Sequence, residues 1–570
     1  MTGYASIDRP WLKYFANTPI TQALPACSMY EYLWQNNKDH LDDIALIYFD
    51  KQITYRKLFD MINELAASLC SVGIQQGSTV TICAITTPET IATIYAANLI
   101  GALCNIIEPR TNTDSIVARI NDADTQVLFI QDVFYSKISG SKYKADYTVV
   151  LSLSDSMPTM KKTFFRYTIG KKIPLPQFGN QILQYAEFVT KNKNSTIVKA
   201  TYQVQQPAAI IYTGGTTGLP KGAILTNDSI NSVAYHFLDH NLCPRQTRYL
   251  DIMPPFIAYG LVCGIHMPLC FGWKVIVIAK FEPSKFADYI IKYKPNFFLG
   301  VPSHYEFLLK SKKLSKMDLS FIQVAAMGGD ALNSELEKKI NKFLSDHNAT
   351  PFVYKGYGMT EVSSAIVSTL GCPGGSKFAS LGVPFKNNIV AIFEPGTENE
   401  LKYGVQGEIY VSSPSMMLGY YKNESETKNI FSTHKDGSVW IHTKDIGYMD
   451  EDGHLYFVDR IKRMIVRPDG HNVWPSRIEN IIGGHEDVSD CAVIGAKNTT
   501  GSNGQIPTAF IVIRNHSKSN DEIEAEIHSM CLEKLPERDV AQRYIFIEKL
   551  PLTLVGKVDY RELENIANQS

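Results

Sequence analysis

Paired cysteines, metal-ligand clusters and an excess of either charge are all missing from this 570-residue sequence. Its ten cysteines are scattered singly, without a Cys-x-x-Cys pair, which argues against a disulfide framework and favours reduced thiols in the cytoplasm. No histidine and cysteine cluster has the spacing of metal ligands. The formal net charge of −1 argues against general nucleic-acid binding, which needs a basic surface.

Long hydrophobic segments are missing as well. The sequence has no run of about 18 or more apolar residues, and its N-terminus lacks the apolar core of a secretory signal. Both absences predict a soluble protein. The chain is longer than the roughly 250–300 residues at which one hydrophobic core stops growing, so we expect at least two domains.

Short Val- and Ile-rich runs alternate with helical patterns between about residues 44 and 411. The segment at 55–73 has apolar residues at helical spacing and ends at a glycine, which predicts an amphipathic helix. The alternation predicts an α/β fold, with helices layered on parallel sheets. Strands buried on both faces are expected at TVTICAI (79–85), TQVLFI (125–130), KVIVIA (274–279) and FIQVAAMGG (321–329).

The pattern changes after residue 414. Residues 445–465 predict a β-hairpin with Asp452 and Gly453 at its turn. The last hundred or so residues mix short strands with one clear helix at 520–535, which is enough for a small α+β domain. We expect the domain boundary near 459–463.

The string YTGGTTGLPKGA, at 212–223, follows a short apolar run that predicts a buried strand. Its glycines let backbone N–H groups approach an anion, its threonines add donors, and Lys221 adds a positive charge. The loop is therefore a candidate phosphate cradle, with a flexible connection as the alternative. It is not the common P-loop, because Gly222 stands where that motif has a Ser or Thr that binds Mg²⁺.

Four further strings follow in order. KGYGMTE, at 355–361, ends in Glu361, a hard oxygen ligand of the kind that Mg²⁺ prefers. HTKD ends in Asp445, an acceptor-only carboxylate that suits ribose hydroxyls. VDRIKRMI supplies Arg460, and PLTLVGK supplies Lys557 close to the end of the chain.

This ordered set of five motifs resembles the acyl-adenylate-forming superfamily, which includes acyl-CoA synthetases, adenylation domains of nonribosomal peptide synthetases and luciferases. The resemblance covers nearly the whole chain. It implies a large N-terminal domain with a small β-barrel-like part over residues 1–460, and a small mobile α+β domain over 461–570. It also implies an enzyme that uses ATP, Mg²⁺ and a carboxylic acid, with coenzyme A as co-substrate.

The resemblance implies roles for individual residues. Lys557 is the catalytic lysine, Glu361 is the Mg²⁺ ligand, and Thr213 belongs to the catalytic set at the start of the phosphate loop. Tyr357 would stack on adenine, and Thr360 would touch the α-phosphate. The other residues expected to bind nucleotide or CoA, or to serve as the hinge between domains, are Gly215, Thr216, Thr217, Lys221, Gly328, Gly329, Gly358, Asp445, Arg460, Lys462 (the hinge) and Gly470 (near the thiol channel).

Within the superfamily the loop YTGGTTG is similar to the version found in fatty acyl-CoA ligases. Ile257 stands where many relatives have histidine, which makes the wall there more apolar. An enzyme that loads a carrier protein, and a nucleotide-binding regulatory protein without catalysis, are the competing hypotheses. The sequence leaves open the chain length of the acid, its aliphatic or aromatic nature and the oligomeric state.

One segment is not explained by these motifs. Residues 160–172 place five basic residues around Phe164, Phe165 and Tyr167. Weak peripheral contact with an anionic membrane surface is one interpretation. A solvated loop with a few anchoring rings is the other.

Overall fold

The computed structural model describes residues 1–15, 24–213, 220–238, 243–370, 377–497, 504–514, 518–553 and 557–569. The predicted strand at 79–85 forms over Thr79–Cys83, and all five of its residues are buried, as a continuous run of apolar and β-branched residues requires. Within the described residues this strand belongs to an eight-stranded sheet, parallel at its centre and antiparallel at one edge. In spatial order its strands are Gly419–Tyr420, Gly222–Thr226, Pro207–Tyr212, Leu103–Ile106, Thr79–Cys83, Val127–Gln131, Tyr147–Leu151 and Ile182–Gln184.

The predicted strand at 125–130 also lies in the first sheet, as Val127–Gln131. The predicted strands at 274–279 and 321–329 lie in a second large sheet, where they form over Lys274–Val277 and Val324–Met327. Nine strands of the described chain make up this sheet, which is parallel except at both edges. The parallel sheets that we predicted are therefore mixed, because short hairpins extend their edges. In spatial order the strands are Val383–Pro384, Val367–Ser368, Tyr354–Tyr357, Val324–Met327, Phe297–Gly300, Arg248–Asp251, Lys274–Val277, Ile44–Tyr48 and Lys51–Thr54.

The helix predicted at 55–73 is confirmed over Tyr55–Ser71. It begins where the Thr54 hydroxyl accepts a hydrogen bond from the Lys57 N–H at 3.2 Å, and it buries an apolar face that includes Leu58 and Leu65. The other α-helices of the large domain are Ala5–Asp8, Met29–Asn37, Pro88–Leu99, Thr113–Asp122, Asp132–Ile138, Thr159–Tyr167, Tyr185–Asn192, Asn227–Leu238, Met267–Cys270, Phe286–Tyr293, Pro302–Leu309, Ser334–Asp346 and Glu424–Ile430, with a π-helix at Tyr259–His266 and 3-10 turns at Pro10–Phe15, Gly170–Lys172, Pro283–Lys285 and Thr360–Val362.

An antiparallel sheet occupies the part of the chain that was expected to be β-barrel-like. The predicted hairpin is confirmed, because Val439–Met449 pairs with Leu455–Arg460 in a register that sets Asp445 opposite Arg460. Gly453 lies in its turn with φ +91°, where a Cβ would come within 2.8 Å of the Trp11 backbone N. Of the described residues, five strands form this sheet: Ile389–Phe393, Gly407–Ser412, Val439–Met449, Phe431–Thr433 and Leu455–Arg460.

The chain after residue 460 mixes strands and helices, as predicted for a small α+β unit. The helix expected at 520–535 is confirmed over Asn520–Lys534, and Ser519 and Glu522 form a capping box at its start. The strands are Ile465–Val466 with Asn472–Val473, and Val488–Lys497 with Gln505–Ile513 and Arg543–Phe546. The remaining helices are Pro475–Ile482 and Tyr560–Gln569, with 3-10 turns at Ile461–Arg463 and Glu537–Asp539.

Two further expectations concern apolar surface. Among the helices of the described residues, none is both long and apolar enough to cross a bilayer. The basic segment at 160–172 is not a loop throughout, since the helix Thr159–Tyr167 and the turn Gly170–Lys172 occupy most of it.

Candidate active site

The two ends of the Gly/Thr loop are held together by the antiparallel strands that flank it. Tyr212 pairs with Gly222, and the Thr213 N–H donates to the Lys221 carbonyl at 2.8 Å. The predicted phosphate-binding residues at these ends, Thr213 and Lys221, are therefore neighbours. Gly215, Thr216 and Thr217, at the tip, lie outside the described residues.

Lys221 is engaged with residues that the sequence analysis did not single out. Its Nζ forms an ion pair with Glu426, at the start of the helix Glu424–Ile430, and lies 5.0 Å from the centre of the Tyr420 ring. The Lys221 ammonium is the main cause of a lowered pKa for Glu426, and Lys462 contributes to it. The candidate phosphate-binding cation thus has a protein carboxylate as its partner in this structure.

Glu361 is buried beside the same tyrosine. It lies in the 3-10 turn Thr360–Val362, only 7% exposed, and its Oε1 accepts a hydrogen bond from the Tyr420 hydroxyl at 2.6 Å. Burial raises the pKa of Glu361, whereas the Tyr420 hydrogen bond and the charges of Arg460 and Lys221 oppose that rise. Glu361 and Lys221 therefore lie close to one another, as the predicted roles require.

Magnesium fits this donor set. Mg²⁺ favours hard oxygen ligands and usually takes one or two protein carboxylates together with phosphate oxygens and water. Glu361 offers one carboxylate whose orientation is fixed by Tyr420. A bound dication would also compensate for the burial that disfavours the Glu361 anion.

Tyr357, Asp445 and Arg460 meet where the strand Tyr354–Tyr357 of the nine-stranded sheet approaches the hairpin of the five-stranded sheet. The Tyr357 hydroxyl donates to Asp445 Oδ2 at 2.8 Å, and Arg460 Nε lies 3.3 Å from Asp445 Oδ1. Burial raises the pKa of Asp445, while Arg460 opposes it by favouring the carboxylate. Three predicted nucleotide-binding side chains are thus in direct contact, although they are up to 103 positions apart in the sequence.

The predicted glycines lie where the chain is tightly packed. A Cβ at Gly358 would come within 1.6 Å of the Ser364 carbonyl oxygen, so no larger residue fits there. Gly329 has φ +80°, and a Cβ at Gly328 would lie 3.1 Å from the Gly356 carbonyl oxygen. The MGGD turn therefore adjoins the strand that carries Tyr357. Thr360 follows directly at the start of the 3-10 turn.

Lys557, in the C-terminal part of the chain, is influenced by the charges of this group. Its backbone N–H donates to Thr553 Oγ1 at 3.2 Å, and its carbonyl accepts from the Thr553 N–H at 2.7 Å, which closes a short turn. Burial lowers the pKa of the Lys557 ammonium, and Arg460 lowers it too, whereas Asp330 and Asp445 act in the opposite direction. The Lys557 ammonium is therefore within electrostatic range of Asp330, Asp445 and Arg460.

A buried ionic network follows the predicted hinge residue, Lys462. Arg463 lies 3.3 Å from Asp459 Oδ1 and 2.5 Å from Glu479 Oε1, and its guanidinium stacks 4.3 Å from the centre of the Tyr560 ring. The fully buried Asp459 also accepts from the Ser476 N–H at 2.9 Å. Asp459 thereby ties the last strand of the five-stranded sheet to the helix Pro475–Ile482.

Gly470 lies apart from this pocket, in the turn between Ile465–Val466 and Asn472–Val473. Its φ is +79°, and its N–H donates to the Arg467 carbonyl at 2.9 Å. The turn therefore requires glycine. No contact in the described residues joins Gly470 to Lys557 or Asp445.

Sequence reasoning missed four contributors to the site: Tyr420, Glu426, Asp330 and Arg463. Two of them fall in GYYKNESE, at 419–426, where a tyrosine pair after a glycine precedes a helix start. That string gives no sign of its partners, which lie about 60 and 200 positions earlier. Asp330 directly follows the predicted strand FIQVAAMGG, but only the fold brings its charge within range of Lys557.

Comparison with known proteins places the chain in a family. The model of the AMP-binding enzyme family matches residues 33–421, and that of the AMP-binding enzyme C-terminal domain matches 477–557. The chain therefore belongs to the AMP-binding enzyme family, which confirms the predicted membership.

Curated relatives and a solved structure agree with this assignment. A long-chain-fatty-acid–CoA ligase of Bacillus subtilis (strain 168) is 28% identical over 98% of each chain. 4-coumarate–CoA ligase 1 of Arabidopsis thaliana is 27% identical over 94% of this chain and 92% of its own. The anthranilate CoA ligase AuaEII, solved with anthranoyl-AMP, superposes with a TM-score of 0.80 at 21% identity, over 95% of this chain and 98% of that one. This likeness confirms the α/β fold with a large N-terminal and a small C-terminal domain.

Proposed function

We propose that this protein is an AMP-forming acyl-CoA synthetase. The family membership and the full-length likeness to two kinds of CoA ligase support this reaction. The observation that carries the proposal concerns Lys557. Its ammonium is within electrostatic range of the contacting pair Asp445 and Arg460, although it follows them by about 100 positions in the sequence.

In the first step, a carboxylate oxygen of the acid attacks the α-phosphorus of ATP, and the bond from that phosphorus to pyrophosphate breaks. Charge builds on the phosphoryl oxygens, so catalysis rests on positioning and electrostatic stabilisation. We assign Lys557 to the α-phosphate, and Asp445 with Arg460 to the ribose. Tyr357, Thr360 and the glycines Gly328, Gly329 and Gly358 would form the adenine and adenylate side of the pocket.

The phosphate loop would hold the departing pyrophosphate. Thr213, Gly215, Thr216, Thr217 and Lys221 supply hydroxyls, backbone N–H groups and a cation for this purpose. Glu361 would hold Mg²⁺, which when bound neutralises negative charge on the phosphate oxygens. Lys221 must exchange its Glu426 partner for phosphate when ATP binds.

In the second step, the CoA sulfur attacks the acyl carbon, the thiol proton is released, and the carbon–oxygen bond to AMP breaks. We propose that residues 461–570 form a mobile domain that rotates about Lys462, removes Lys557 and brings the Gly470 turn toward the thiol channel. Residues 1–460 would form the domain that keeps the adenylate.

The acid is proposed to be a fatty acid. The bacterial relative carries that name, and Ile257 gives the MPPFIAYG segment an apolar side chain. We also propose a reducing, cytoplasmic compartment, since every cysteine within the described ranges is a free thiol.

Pyrophosphate release tests the proposal across a graded series of straight-chain and aromatic acids, each with and without CoA. We expect fatty acids to support pyrophosphate release, and CoA to convert the acyl-AMP to acyl-CoA with AMP. Release with cinnamic acids alone would assign the aromatic class instead. The absence of ATP-dependent release with every acid would contradict the proposal.

A ligase that loads a carrier-protein thiol is the alternative, because its first step would use the same pocket. Free CoA distinguishes the two reactions. If acyl-AMP accumulates and CoA does not consume it, the carrier-loading function is favoured.

A further inference from the structure

A surface outside the candidate site presents apolar side chains to solvent. The helix Thr159–Tyr167 sets three of them at spacings of i, i+4 and i+7, so that they lie along one side of the helix. Two more follow, one in the turn after the helix and one in the irregular segment after Gly170–Lys172. The apolar face is defined here by these five side chains with their exposed fractions: Met160 (86%), Phe164 (70%), Tyr167 (79%), Ile169 (59%) and Leu175 (57%).

The helix is fixed by two contacts outside the apolar face. Phe165 is only 8% exposed and packs into the main hydrophobic core. Lys161 Nζ donates to Asp50 Oδ2 at 2.5 Å and to the Phe49 carbonyl at 2.9 Å, at the turn of the hairpin after Ile44–Tyr48. With one side anchored in this way, the apolar face is held toward solvent.

Basic side chains surround the apolar face. No Asp or Glu occurs between residues 156 and 186, in a chain whose net charge is only −1. At about 100° per residue, Lys161 lies about 90° to one side of the middle of the Met160, Phe164 and Tyr167 stripe, and Arg166 lies about 130° to the other side. The basic residues of this segment are Lys161, Lys162, Arg166, Lys171 and Lys172.

We propose that the apolar face docks on the surface of an anionic phospholipid bilayer. Single exposed apolar side chains are ordinary on protein surfaces. A helix that exposes a row of apolar side chains and carries basic residues beside them is typical of helices that lie in a membrane interface. Anionic headgroups attract the flanking cations while the rings and aliphatic groups enter the headgroup boundary. The contact is peripheral, and it does not depend on the reaction proposed above.

Vesicle co-sedimentation of the full-length protein tests this proposal. The probes are vesicles of phosphatidylcholine alone and of phosphatidylcholine with a one-third share of phosphatidylglycerol. We expect binding to the anionic vesicles that weakens as salt is added, and little binding to the neutral ones. Equal binding to both vesicles, or none to the anionic ones at low salt, would overturn the proposal.

Two variants locate the contact. Replacing three apolar residues together (Met160→Ser, Phe164→Ser, Tyr167→Ser) should weaken binding at least about tenfold, and so should Lys171→Glu with Lys172→Glu. All five side chains are exposed, so we expect unchanged circular dichroism. The matched control is Val198→Ser with Val204→Ser, which removes side chains of similar exposure, 66% and 76%, outside the apolar face.

The control should bind anionic vesicles as the unmodified protein does. Equal loss in the control and the apolar-face variant would refute the assignment to this face. A second copy of the chain is the competing occupant. If sedimentation velocity without lipid shows a dimer that the apolar-face variant dissociates, the face is a protein interface and the membrane proposal is wrong.

Discussion

At the residue scale, the Lys557 ammonium is subject to opposing effects. Burial lowers its pKa, and the carboxylates of Asp330 and Asp445 favour the charged form. The group therefore loses its proton at a lower pH than an exposed lysine, whose ordinary pKa is 10.5. Deprotonation removes the positive charge assigned to the α-phosphate.

This shift predicts an alkaline limit on the first half-reaction. The kcat/KM for ATP in pyrophosphate release should fall as pH rises, with an apparent pKa below 10.5, because this ratio reports the free enzyme. Lys557→Arg keeps its positive charge to higher pH, so the fall in kcat/KM should begin at a higher pH in this variant. If kcat/KM falls at the same pH in both proteins, a group other than residue 557 is responsible for the fall.

The Lys221–Glu426 ion pair predicts a competition between Glu426 and phosphate. Glu426→Gln removes the carboxylate but keeps the shape, so we expect a lower KM for ATP with kcat little changed. Both side chains are about a third exposed, and such pairs are worth about 0–1 kcal/mol, so the change should not exceed about fivefold. Steady-state kinetics with Glu424→Gln, on the same helix, provides the control. A raised KM would mean that Glu426 assists ATP binding.

At the element scale, a buried ion pair supports the strand that carries Tyr357. Lys355 Nζ lies 2.5 Å from Glu337 Oε1, and both side chains are 5% exposed. Glu337 comes from the helix Ser334–Asp346, so the pair joins that helix to the strand Tyr354–Tyr357.

Breaking this pair should destabilise the large domain. Lys355→Met leaves Glu337 as a buried unpaired charge, which costs about 3–5 kcal/mol, and the thermal unfolding midpoint should fall. The double variant with Glu337→Leu should recover most of the loss, because neither charge then remains. The control Lys342→Met breaks the exposed pair with Asp346 on the same helix and should change stability by less than about 0.5 kcal/mol. An equal effect of the two lysine variants would contradict this account.

The elements predicted correctly share a local physical cause. TVTICAI and KVIVIA are continuous apolar runs because their strands are covered on both faces, and that pattern is readable without knowing the fold. The hairpin at Asp452–Gly453 was equally predictable from turn chemistry. The antiparallel edges of the large sheets were not, since two-residue strands such as Val367–Ser368 carry no periodic signal.

The residues of the candidate site were likewise predictable only where a local sequence motif contains them. Asp445 and Arg460 were found through their motifs, and the hairpin register then places them side by side. Tyr420 and Glu426 were not found, because their contacts with Glu361 and Lys221 arise only when distant segments pack together. Long-range pairing of single polar side chains leaves no local pattern.

At the scale of the whole molecule, the two proposed half-reactions require the C-terminal domain to occupy two orientations. Lys462 lies in the 3-10 turn Ile461–Arg463. Proline can adopt the φ of about −50 to −70° that is typical of a 3-10 helix. Lys462→Pro should therefore fold and form acyl-AMP at close to the normal rate, but the fixed φ should block rotation and acyl-CoA formation. Lys462→Ala, which leaves the backbone free, is the control. Normal overall turnover of the proline variant would refute a hinge at this position.

The most direct test of the account is to separate the two half-reactions in Lys557→Ala. Pyrophosphate release should fall at least about a hundredfold, as expected when a charge aimed at the transition state is removed. Transfer from supplied acyl-AMP to CoA should stay within about threefold of normal, because the lysine has then left the pocket. Equal losses in both half-reactions, or normal pyrophosphate release, would contradict the role assigned to Lys557.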